Sequence, residues 1–554
     1  PYNNNAGNTP FNTSAVYVNG AQNGSTSPAV YVRIVEPLLN PAKTALPAFG
    51  DAGDVITYTL SFSNTGTNAS TAYDVALTDT VPGKMTADLA LPPPALDIVQ
   101  NPAGCAVGLD SSSSSGNNVS ISMTSVPVGC TVTATYTATL NATVTADEVL
   151  ANAVTLRYSS LPGTNGTTPN ATGSTTPGGS GTTNGERVRN DTVSANVRVT
   201  NFNPVKSIIA TSEGSTGVGG APAYEQLAIG ETLTYRLVTD IPEGTQTDLR
   251  VVDILPAGFT YVGNPLISFF ADAGMGVNAD LAGADNDALP PTFAIPAYPS
   301  ANGVGVEVVG QTVTFHLGNV VNNDSALSPD TNAVERVVID FTVRVNNDAN
   351  ANNTDLKNNN YSVWTDNGSG TLINRRTSNT VTARIVEPAL NVAKSANDSS
   401  WIYGQNVTFT LNVTHIAAPT SLANAFDIVV MDTIPASLTY ASIAAPANWT
   451  TNAVLNGDDT WTLTWTCTTA NTCSLPLGSP AALTYHATVD TPPANGAMTG
   501  VATAVNNVVM TWTSLPGVDA NERTGSGGVN DNNDTASHTG SLDYYALGNR
   551  VWFD

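Results

Sequence analysis

The sequence predicts an all-β protein of tandem immunoglobulin-like antiparallel β-sandwiches arranged as an elongated rod. Three observations support this fold class. Short apolar runs alternate with polar residues at a period of two, Gly, Pro and Asn separate the runs, and the same blocks recur three times. At 554 residues the chain is also too long for one core.

A lysine precedes the first long strand of each repeat. These strands read GDVITYTLSF (53–62), GETLTYRLVT (230–239) and GQNVTFTLNV (404–413). Apolar residues occupy alternate positions in all three, which is typical of an antiparallel sheet that covers a core on one face. The preceding lysines are Lys43, Lys206 and Lys394.

An aspartate and an asparagine recur later in each repeat. The blocks at 74–85, 249–262 and 426–441 are strands that end at a proline, because proline cannot donate to a β-ladder. Their aspartates are Asp79, Asp253 and Asp432. A penultimate strand follows at 131–140, 336–345 and 483–489. The last strand opens with Asn152, Asn358 and Asn506, and the alignment of the second repeat also allows Asn359 or Asn360.

The strings VRIVEP (32–37) and ARIVEP (383–388) mark the joints between domains. We interpret each as the last strand of one sandwich followed by a proline that ends it. The predicted segments are 1–37, terminal strands of a preceding repeat or a donor strand; 38–200, the first sandwich; 201–386, the second, with an insertion of surface loops at 263–311; 387–545, the third; and 546–554, the first strand of a further domain.

Composition favours an extracellular location, at the cell surface or beyond it. The chain has 19 Lys and Arg against 44 Asp and Glu, a net charge of −25, which disfavours binding to nucleic acid or to an anionic membrane. The cysteines form two local pairs, Cys105/Cys130 and Cys467/Cys473, that predict disulfides; free buried thiols are the alternative. We find no apolar run that predicts a membrane span and no signal peptide, and we expect targeting segments to lie outside these residues.

Four blocks follow one another in a fixed order: the lysine strand, YTLSFSNTG, VALTDTVP and NAVT. In this order the chain resembles a large family of prokaryotic extracellular β-sandwich repeats, the domain of unknown function numbered eleven. The resemblance covers about residues 38–545 in three copies and is weakest in the second. The terminal LGNRVWFD (547–554) looks like the opening strand of a B-type repeat of collagen adhesins and serine-aspartate surface proteins. These resemblances imply a cell-surface stalk, sheath or adhesin, and no reaction.

Turnover catalysis is not expected. The four histidines, which are scattered over predicted strands and loops, match no nucleophile, phosphate-binding or zinc motif: His316, His415, His486 and His538. We therefore predict that the protein is not an enzyme and needs no cofactor.

The repeated Lys, Asp and Asn permit a different chemistry, an intramolecular isopeptide bond. If the first and last strands of a sandwich lie side by side, an uncharged lysine amine can attack the Asn carbonyl with help from the Asp carboxyl. The candidate sets are Lys43, Asp79 and Asn152; Lys206, Asp253 and Asn358; and Lys394, Asp432 and Asn506. In the alternative, each lysine extends to solvent from an edge strand while Asp and Asn bind turn amides.

Two polar segments are candidate Ca²⁺ sites, because carboxylate oxygens suit a hard cation. Their candidate ligands are Asp285, Asp287, Asp531 and Asp534, and solvated loops are the alternative. Neither segment has the spacing of an EF-hand.

Two functions compete. One is a structural component of an extracellular filament, sheath or surface layer, a homopolymer joined head to tail when residues 1–37 add a strand to a neighbouring subunit. The other is an adhesin that binds carbohydrate or a surface protein through aromatics of the insertion: Phe269, Phe270, Phe293 and Tyr298. Burial of these aromatics against the domain or a contact between subunits is the alternative.

Overall fold

The computed structural model describes residues 11–542 except 16, 19, 20, 23, 91–95, 102–104, 106, 164–187, 220–223, 271–274, 278–292, 301–302, 323–334, 469, 471–472, 491–501 and 527–530. Forty β-strands account for its regular structure, and the part described has no α-helix. The all-β prediction is confirmed. None of the described segments forms a helix long and apolar enough to cross a membrane.

Four short strands precede the sandwiches: β1 (Phe11–Asn12), β2 (Tyr17–Val18), β3 (Ala21–Gln22) and β4 (Val30–Tyr31). β1 pairs with β4 and β2 pairs with β3, all antiparallel. The apolar side chains of β2 and β4 are exposed.

The first sandwich has eleven strands: β5 (Ala42–Leu46), β6 (Phe49–Gly50), β7 (Val55–Ser63), β8 (Ala72–Thr80), β9 (Met85–Asp88), β10 (Leu96–Asn101), β11 (Leu109–Asp110), β12 (Asn118–Val126), β13 (Thr131–Leu140), β14 (Val149–Ser159) and β15 (Val188–Val199). One sheet has the order β10-β13-β7-β5, with β9 also on β13, and the other has the order β11-β12-β8-β14-β15-β6. Alternate side chains of both sheets, such as Ile56 and Leu77, form one core.

The second sandwich has fifteen strands: β16 (Asn203–Thr211), β17 (Val218–Gly219), β18 (Tyr224–Leu227), β19 (Thr232–Asp240), β20 (Gly244–Ile254), β21 (Phe259–Phe270), β22 (Met275–Val277), β23 (Phe293–Ala294), β24 (Gly305–Val309), β25 (Thr312–Asn322), β26 (Arg336–Val345), β27 (Leu356–Asn359), β28 (Tyr361–Asp366), β29 (Leu372–Thr377) and β30 (Val381–Ile385). Its sheets have the orders β16-β19-β26-β21-β23, β22-β25-β20-β28-β29 (with β24 on β25) and β17-β18-β30-β27.

The insertion at 263–311 is not all surface loop, which corrects the sequence prediction. β21 runs through its first part to Phe270, and β23 and β24 extend the two large sheets. Phe269 is 1% exposed and belongs to the hydrophobic core, on the same face of β21 as the buried Ile267.

The third sandwich has ten strands: β31 (Leu390–Ala396), β32 (Ser400–Trp401), β33 (Asn406–His415), β34 (Phe426–Ile434), β35 (Leu438–Ala444), β36 (Thr450–Leu455), β37 (Trp461–Cys467), β38 (Ala481–Val489), β39 (Ala502–Thr513) and β40 (Asn533–Leu542). Its sheets have the orders β31-β33-β38-β35 and β32-β40-β39-β34-β37-β36. Both predicted disulfides are present, Cys105–Cys130 and Cys467–Cys473, with Cα atoms 5.8 and 5.1 Å apart.

The sandwiches are joined end to end. Beyond the end of β19, Thr245 N donates to Val144 O of the first sandwich (3.2 Å). Before the start of β19, Ile229 O accepts a hydrogen bond from Ser514 Oγ of the third sandwich (2.9 Å). A nine-residue strand is about 30 Å long, so the first and third sandwiches attach at opposite ends of the second, as a rod requires.

Glu387 is a buried acid at the joint between the second and third sandwiches. Its Oε1 accepts a hydrogen bond from Ile229 N (2.8 Å), and burial raises the pKa of its carboxyl to about 7. Because the folded pKa exceeds the ordinary value, protonation stabilises the joint at low pH. That stabilisation is lost as the pH rises through about 7.

The free energy of unfolding of the Glu387→Gln variant is therefore expected to change less between pH 5 and pH 8 than that of the wild type. The difference is on the order of 1–3 kcal/mol. Urea unfolding at several pH values measures this difference. Other buried acids contribute to the dependence that remains, among them Glu231, whose pKa is raised to about 7, and Asp51, whose pKa is raised to about 6. Glu231→Gln, which removes a different buried acid, is the matched comparison. Equal pH slopes in the wild type and in Glu387→Gln would contradict the assignment.

Candidate functional site

Each sandwich contains a lysine and an aspartate that meet inside the core. Lys43 Nζ donates to Asp79 Oδ2 at 2.7 Å, and Lys394 Nζ donates to Asp432 Oδ2 at 2.6 Å. Lys206 Nζ donates to Asp253 Oδ2 in the same way. The side chains of all three pairs are 0% exposed. The alternative in which each lysine extends to solvent is therefore wrong.

The pairs cross from one sheet to the other. Lys43 lies on the edge strand β5, whereas Asp79 and Asn152 lie on the neighbouring strands β8 and β14 of the facing sheet. Asp79 is opposite Val154 in the β8–β14 register, so Asn152, two residues along, points to the same face. The lysine and asparagine strands are thus not side by side, as predicted from the sequence, but belong to facing sheets. Asp79 and Tyr136 connect Lys43 to Asn152 through hydrogen bonds.

Aromatic rings line the lysine amines. Lys43 Nζ is 4.9 Å from the ring centroid of Tyr58, and Lys206 Nζ is 3.8 Å from that of Tyr235. In the third sandwich Lys394 Nζ is 5.5 Å from the ring of Phe409. These rings exclude water from the amine, which favours its uncharged form, whereas their faces attract the charged ammonium form.

A tyrosine links the aspartate to the asparagine in the first and third sandwiches. Tyr136 OH donates to Asp79 Oδ2 (2.7 Å) and accepts from Asn152 Nδ2 (2.8 Å). In the third sandwich Tyr485 OH donates to Asp432 Oδ1 (3.2 Å) and accepts from Asn506 Nδ2 (2.5 Å). Neither tyrosine is among the site residues predicted from the sequence. Their signal was an aromatic at the same position of the alternating penultimate strand.

The second sandwich uses a different asparagine from the one predicted. Lys206 Nζ donates to Asn359 Oδ1 as well as to Asp253, and Asn359 is buried. Asn358 is exposed, and its Oδ1 accepts from Thr382 Oγ1 (2.7 Å). The assignment to Asn358 is thus corrected to Asn359. Phe341 takes the place of the bridging tyrosine.

Burial changes the protonation of these groups. Burial lowers the pKa of Lys43, Lys206 and Lys394 to about 8, against the opposing attraction of the paired carboxylates. It raises the pKa of Asp253 and of Asp432 above the usual range, although their lysines oppose the shift. Both directions favour an uncharged amine beside a protonated carboxyl.

The polar network is incomplete. Within the three Lys–Asp–Asn sets, four buried oxygens lack a hydrogen-bond partner among the described residues: Asp79 Oδ1, Asn152 Oδ1, Asp253 Oδ1 and Asn506 Oδ1. A buried ion pair whose remaining oxygens are unpaired contributes little net stability. The arrangement therefore calls for a role other than stabilising the core as a salt bridge.

The other predicted site residues are not gathered in one place. Asp534 Oδ2 accepts from Val392 N (2.8 Å), which ties it to the edge of the third sandwich. In the described part of the chain, no three His, Cys, Asp or Glu residues are placed to hold a metal ion, and Asp531 belongs to no such group. Asp285 and Asp287 lie outside the described residues.

The aromatics of the insertion also separate. Phe269 is a core residue, which corrects its assignment as a ligand contact. The Tyr298 ring stacks on His316 with centroids 3.8 Å apart. The side chains of Phe270 and Phe293 lie outside what the structure describes.

No protein-family model matches the chain, and no curated protein matches it. Among solved structures, the C-terminal domain of the Streptococcus agalactiae AgI/II polypeptide BspA is similar at 10% identity over 62% of this chain and 100% of that one (TM-score 0.30). The major pilin SpaD of Corynebacterium diphtheriae matches at 11% identity over 82% of this chain and 83% of that one (TM-score 0.21). The collagen adhesin of S. aureus matches at 10% identity over 62% and 92% (TM-score 0.18).

Similarities at these TM-scores assign neither a family nor a function to this chain. Membership in the family numbered eleven and the B-type match at 547–554 stay predictions, and the latter residues lie outside the described part.

Proposed function

We propose that the protein is a structural, non-enzymatic component of an extracellular filament, sheath or cell-surface layer, and that each sandwich is closed by an isopeptide bond. The proposal rests on the contacts of Lys206. Its fully buried amine contacts both the carboxylate of Asp253 and the amide oxygen of Asn359. The same residue types recur at equivalent places in the other two sandwiches.

The bond forms without an added reactant. The uncharged Nζ of Lys206 attacks Cγ of Asn359, so that a Nζ–Cγ bond forms and the Cγ–Nδ2 bond breaks. The protonated Asp253 carboxyl donates to the amide oxygen and relays a proton from Nζ to Nδ2, which leaves as ammonia. Desolvation by the surrounding core favours the uncharged reactants that this step needs.

The cross-link would tie the start of each sandwich to its end. The loop it closes is 153 residues in the second sandwich, and a covalent link of this size contributes about 5 kcal/mol by the chain-entropy model. Pulling force that enters through the first strand would then pass to the last strands through a covalent bond rather than through hydrogen bonds. This property suits a load-bearing role.

The bridging tyrosine is expected to matter for the first sandwich. The Tyr136→Phe variant leaves Asn152 Nδ2 buried without its acceptor, which costs about 1–3 kcal/mol in the free energy of unfolding and slows formation of the bond. Urea unfolding and the mass of the product measure the two effects. Tyr261→Phe is the control, because the Tyr261 hydroxyl is buried and has no hydrogen-bond partner in the described part of the chain. Equal losses in both variants would contradict a role for the bridge.

Assembly by head-to-tail strand addition remains part of the proposal, in which residues 1–37 donate a strand. Each described sandwich already contains a last strand from its own chain, namely β15, β30 and β40. Strand addition would therefore need an incomplete sandwich elsewhere in the assembly. Contacts between complete sandwiches are the alternative route to a homopolymer.

The adhesin hypothesis has weaker support. Of the four insertion aromatics, Phe269 is buried and Tyr298 is stacked on His316. Among the described residues of this segment, Phe269 therefore offers no surface to carbohydrate or to a surface protein, and one side of the Tyr298 ring is already covered. The acidic surface and the two disulfides suit either function outside the cell.

Imaging of the native protein on its source cells and in the medium tests the structural role. We expect regular fibres or a continuous layer that bears the protein, as shown by labelled antibody against the chain. Isolated monomers that bind a ligand with high affinity would favour the adhesin instead.

A further inference from the structure

The second and third sandwiches show how two of these domains fit together. We call the turn before the long strand of a sandwich its tail turn: residues 50–54, 227–231 and 401–405. The three tail turns share one hydrogen bond, in which Gly53 N, Gly230 N and Gly404 N donate to Leu140 O, Val345 O and Val489 O, respectively. All three glycines have positive φ (94°, 90° and 76°).

The opposite end of a sandwich presents what we call its head face. In the third sandwich it consists of Val-Glu-Pro at 386–388 and Ser-Leu-Pro-Gly at 514–517. The first sandwich has the same two strings at 35–37 and 160–163. Glu387 O accepts from Leu422 N (3.0 Å) and Glu36 O accepts from Ser70 N (3.1 Å), so the Val-Glu-Pro segments are attached to their sandwiches alike.

Within the chain, the tail turn of the second sandwich packs on the head face of the third. Ile229 N donates to Glu387 Oε1 (2.8 Å) and Ile229 O accepts from Ser514 Oγ (2.9 Å). The Leu515 side chain packs against Gly230, where a Cβ would lie only 2.9 Å from Leu515 Cδ1. Ile229 is 0% exposed and Leu515 is 6% exposed as a result.

The equivalent apolar groups on the first and third sandwiches are exposed among the described residues. On the head face of the first sandwich, Leu161 and Val35 are each 44% exposed, whereas Val386 is buried in the joint. On the tail turn of the third sandwich, Ile402 is 47% exposed and Tyr403, the counterpart of Ile229, is 64% exposed. The rod therefore presents both halves of a joint that the chain itself shows assembled.

We propose that the tail turn of the third sandwich docks on the head face of the first sandwich of a second copy. Gly404 then lies against Leu161, and Tyr403 N donates to the carboxylate of Glu36, which otherwise faces Arg189 at 3.5 Å. Because the two faces are different and lie at opposite ends, the contact is heterologous and extends into an open chain of copies. This partner assignment rests on the proposed structural role and names the contact that would build the polymer.

Charge sets the conditions for this contact. Each copy carries a net charge of −25, so copies repel one another at low ionic strength. Salt screens this repulsion over about 8–10 Å. Association is therefore expected to strengthen as salt rises, the opposite of an ion-pair interface.

Sedimentation velocity of the 554-residue chain over a range of concentrations tests the proposal. The wild type is expected to form dimers and longer species in multiples of 57.0 kDa, more so in added salt. Leu161→Asp and Tyr403→Asp are each expected to weaken association about tenfold or more. Leu455→Asp, a substitution at a leucine that is 54% exposed elsewhere on the third sandwich, is expected to leave it unchanged.

Mixing the two variants makes the test directional. Leu161→Asp keeps its tail turn and Tyr403→Asp keeps its head face, so an equimolar mixture is expected to form dimers and no longer species. A wild type that stays monomeric up to its solubility limit overturns the proposal and means that other segments occupy these faces. Association that persists in both the Leu161→Asp and the Tyr403→Asp variants also overturns the proposal. If the wild type is monomeric but carries isopeptide bonds, the proposed structural role is retained and only this contact is disproved.

Discussion

The Lys206→Met variant is expected to lose most of the stability of the second sandwich. It leaves Asp253 buried without its partner, which costs about 3–5 kcal/mol, and it removes the cross-link, which contributes about 5 kcal/mol. Domains of this kind are stable by about 5–15 kcal/mol in total. Urea unfolding and limited proteolysis should therefore show a second sandwich that is largely unfolded or easily cut.

Two further variants separate the contributions. Lys206→Met with Asp253→Leu removes both members of the buried pair, so it should recover the cost of the unpaired carboxylate but not that of the lost cross-link. Lys84→Met is the control, because Lys84 pairs with Glu148 at a partly exposed site and such pairs contribute less than about 1 kcal/mol. Full recovery in the double variant would mean that no covalent bond is present.

The Gly230→Val variant is expected to separate the second and third sandwiches. A side chain at this position would meet Leu515 and the backbone of Glu522 at 2.9–3.0 Å, and the backbone has positive φ. Strain from φ costs about 1–2 kcal/mol and the collision adds about 1–3 kcal/mol. Small-angle scattering should show a more flexible rod, and proteases should cut near 386–389.

Gly404→Val is the matched control for this effect. Gly404 has the same turn and positive φ, but nothing lies within 4 Å of the added Cβ. At concentrations where the chain is monomeric, it should show the strain without the collision and without loss of rigidity. Equal effects in the two variants would mean that Leu515 and Glu522 do not hold the joint.

Period-two alternation predicted the strands well, because a strand with one buried face has apolar residues at every second position of the sequence. Recurrence of Lys43 and Asp79 at matching places in the repeats made them candidates for one site, with a lysine that extends to solvent as the alternative. Which sheet each strand joins is not encoded in alternation. The lysine and asparagine strands were therefore placed side by side when they face each other across the core.

The asparagine of the second sandwich was misassigned by one residue. β27 ends at Asn359 and β28 starts at Tyr361, so a break in the strand shifts the inward position. A run of three asparagines gives no internal signal of which one points inward. The bridging Tyr136 was missed for a similar reason. Alternation predicts that a tyrosine is buried but not which polar groups its hydroxyl meets.

The middle insertion shows a further limit of the sequence argument. Gly, Asp and Pro in its sequence predicted loops, yet β21 runs into it and places Phe269 in the core. Pairing with β26 along most of its length holds this strand in place. Such tertiary pairing overrides local composition.

The intact mass of the denatured, disulfide-reduced protein tests the central claim most directly. If each sandwich carries an isopeptide bond, the mass falls below that of the sequence by about 17 Da per bond, the mass of one ammonia, or about 51 Da in all. Lys206→Met should show one deficit fewer after correction for the substitution. A mass equal to that of the sequence would contradict the account, and a deficit of about 18 Da per bond would assign the link to aspartate rather than asparagine.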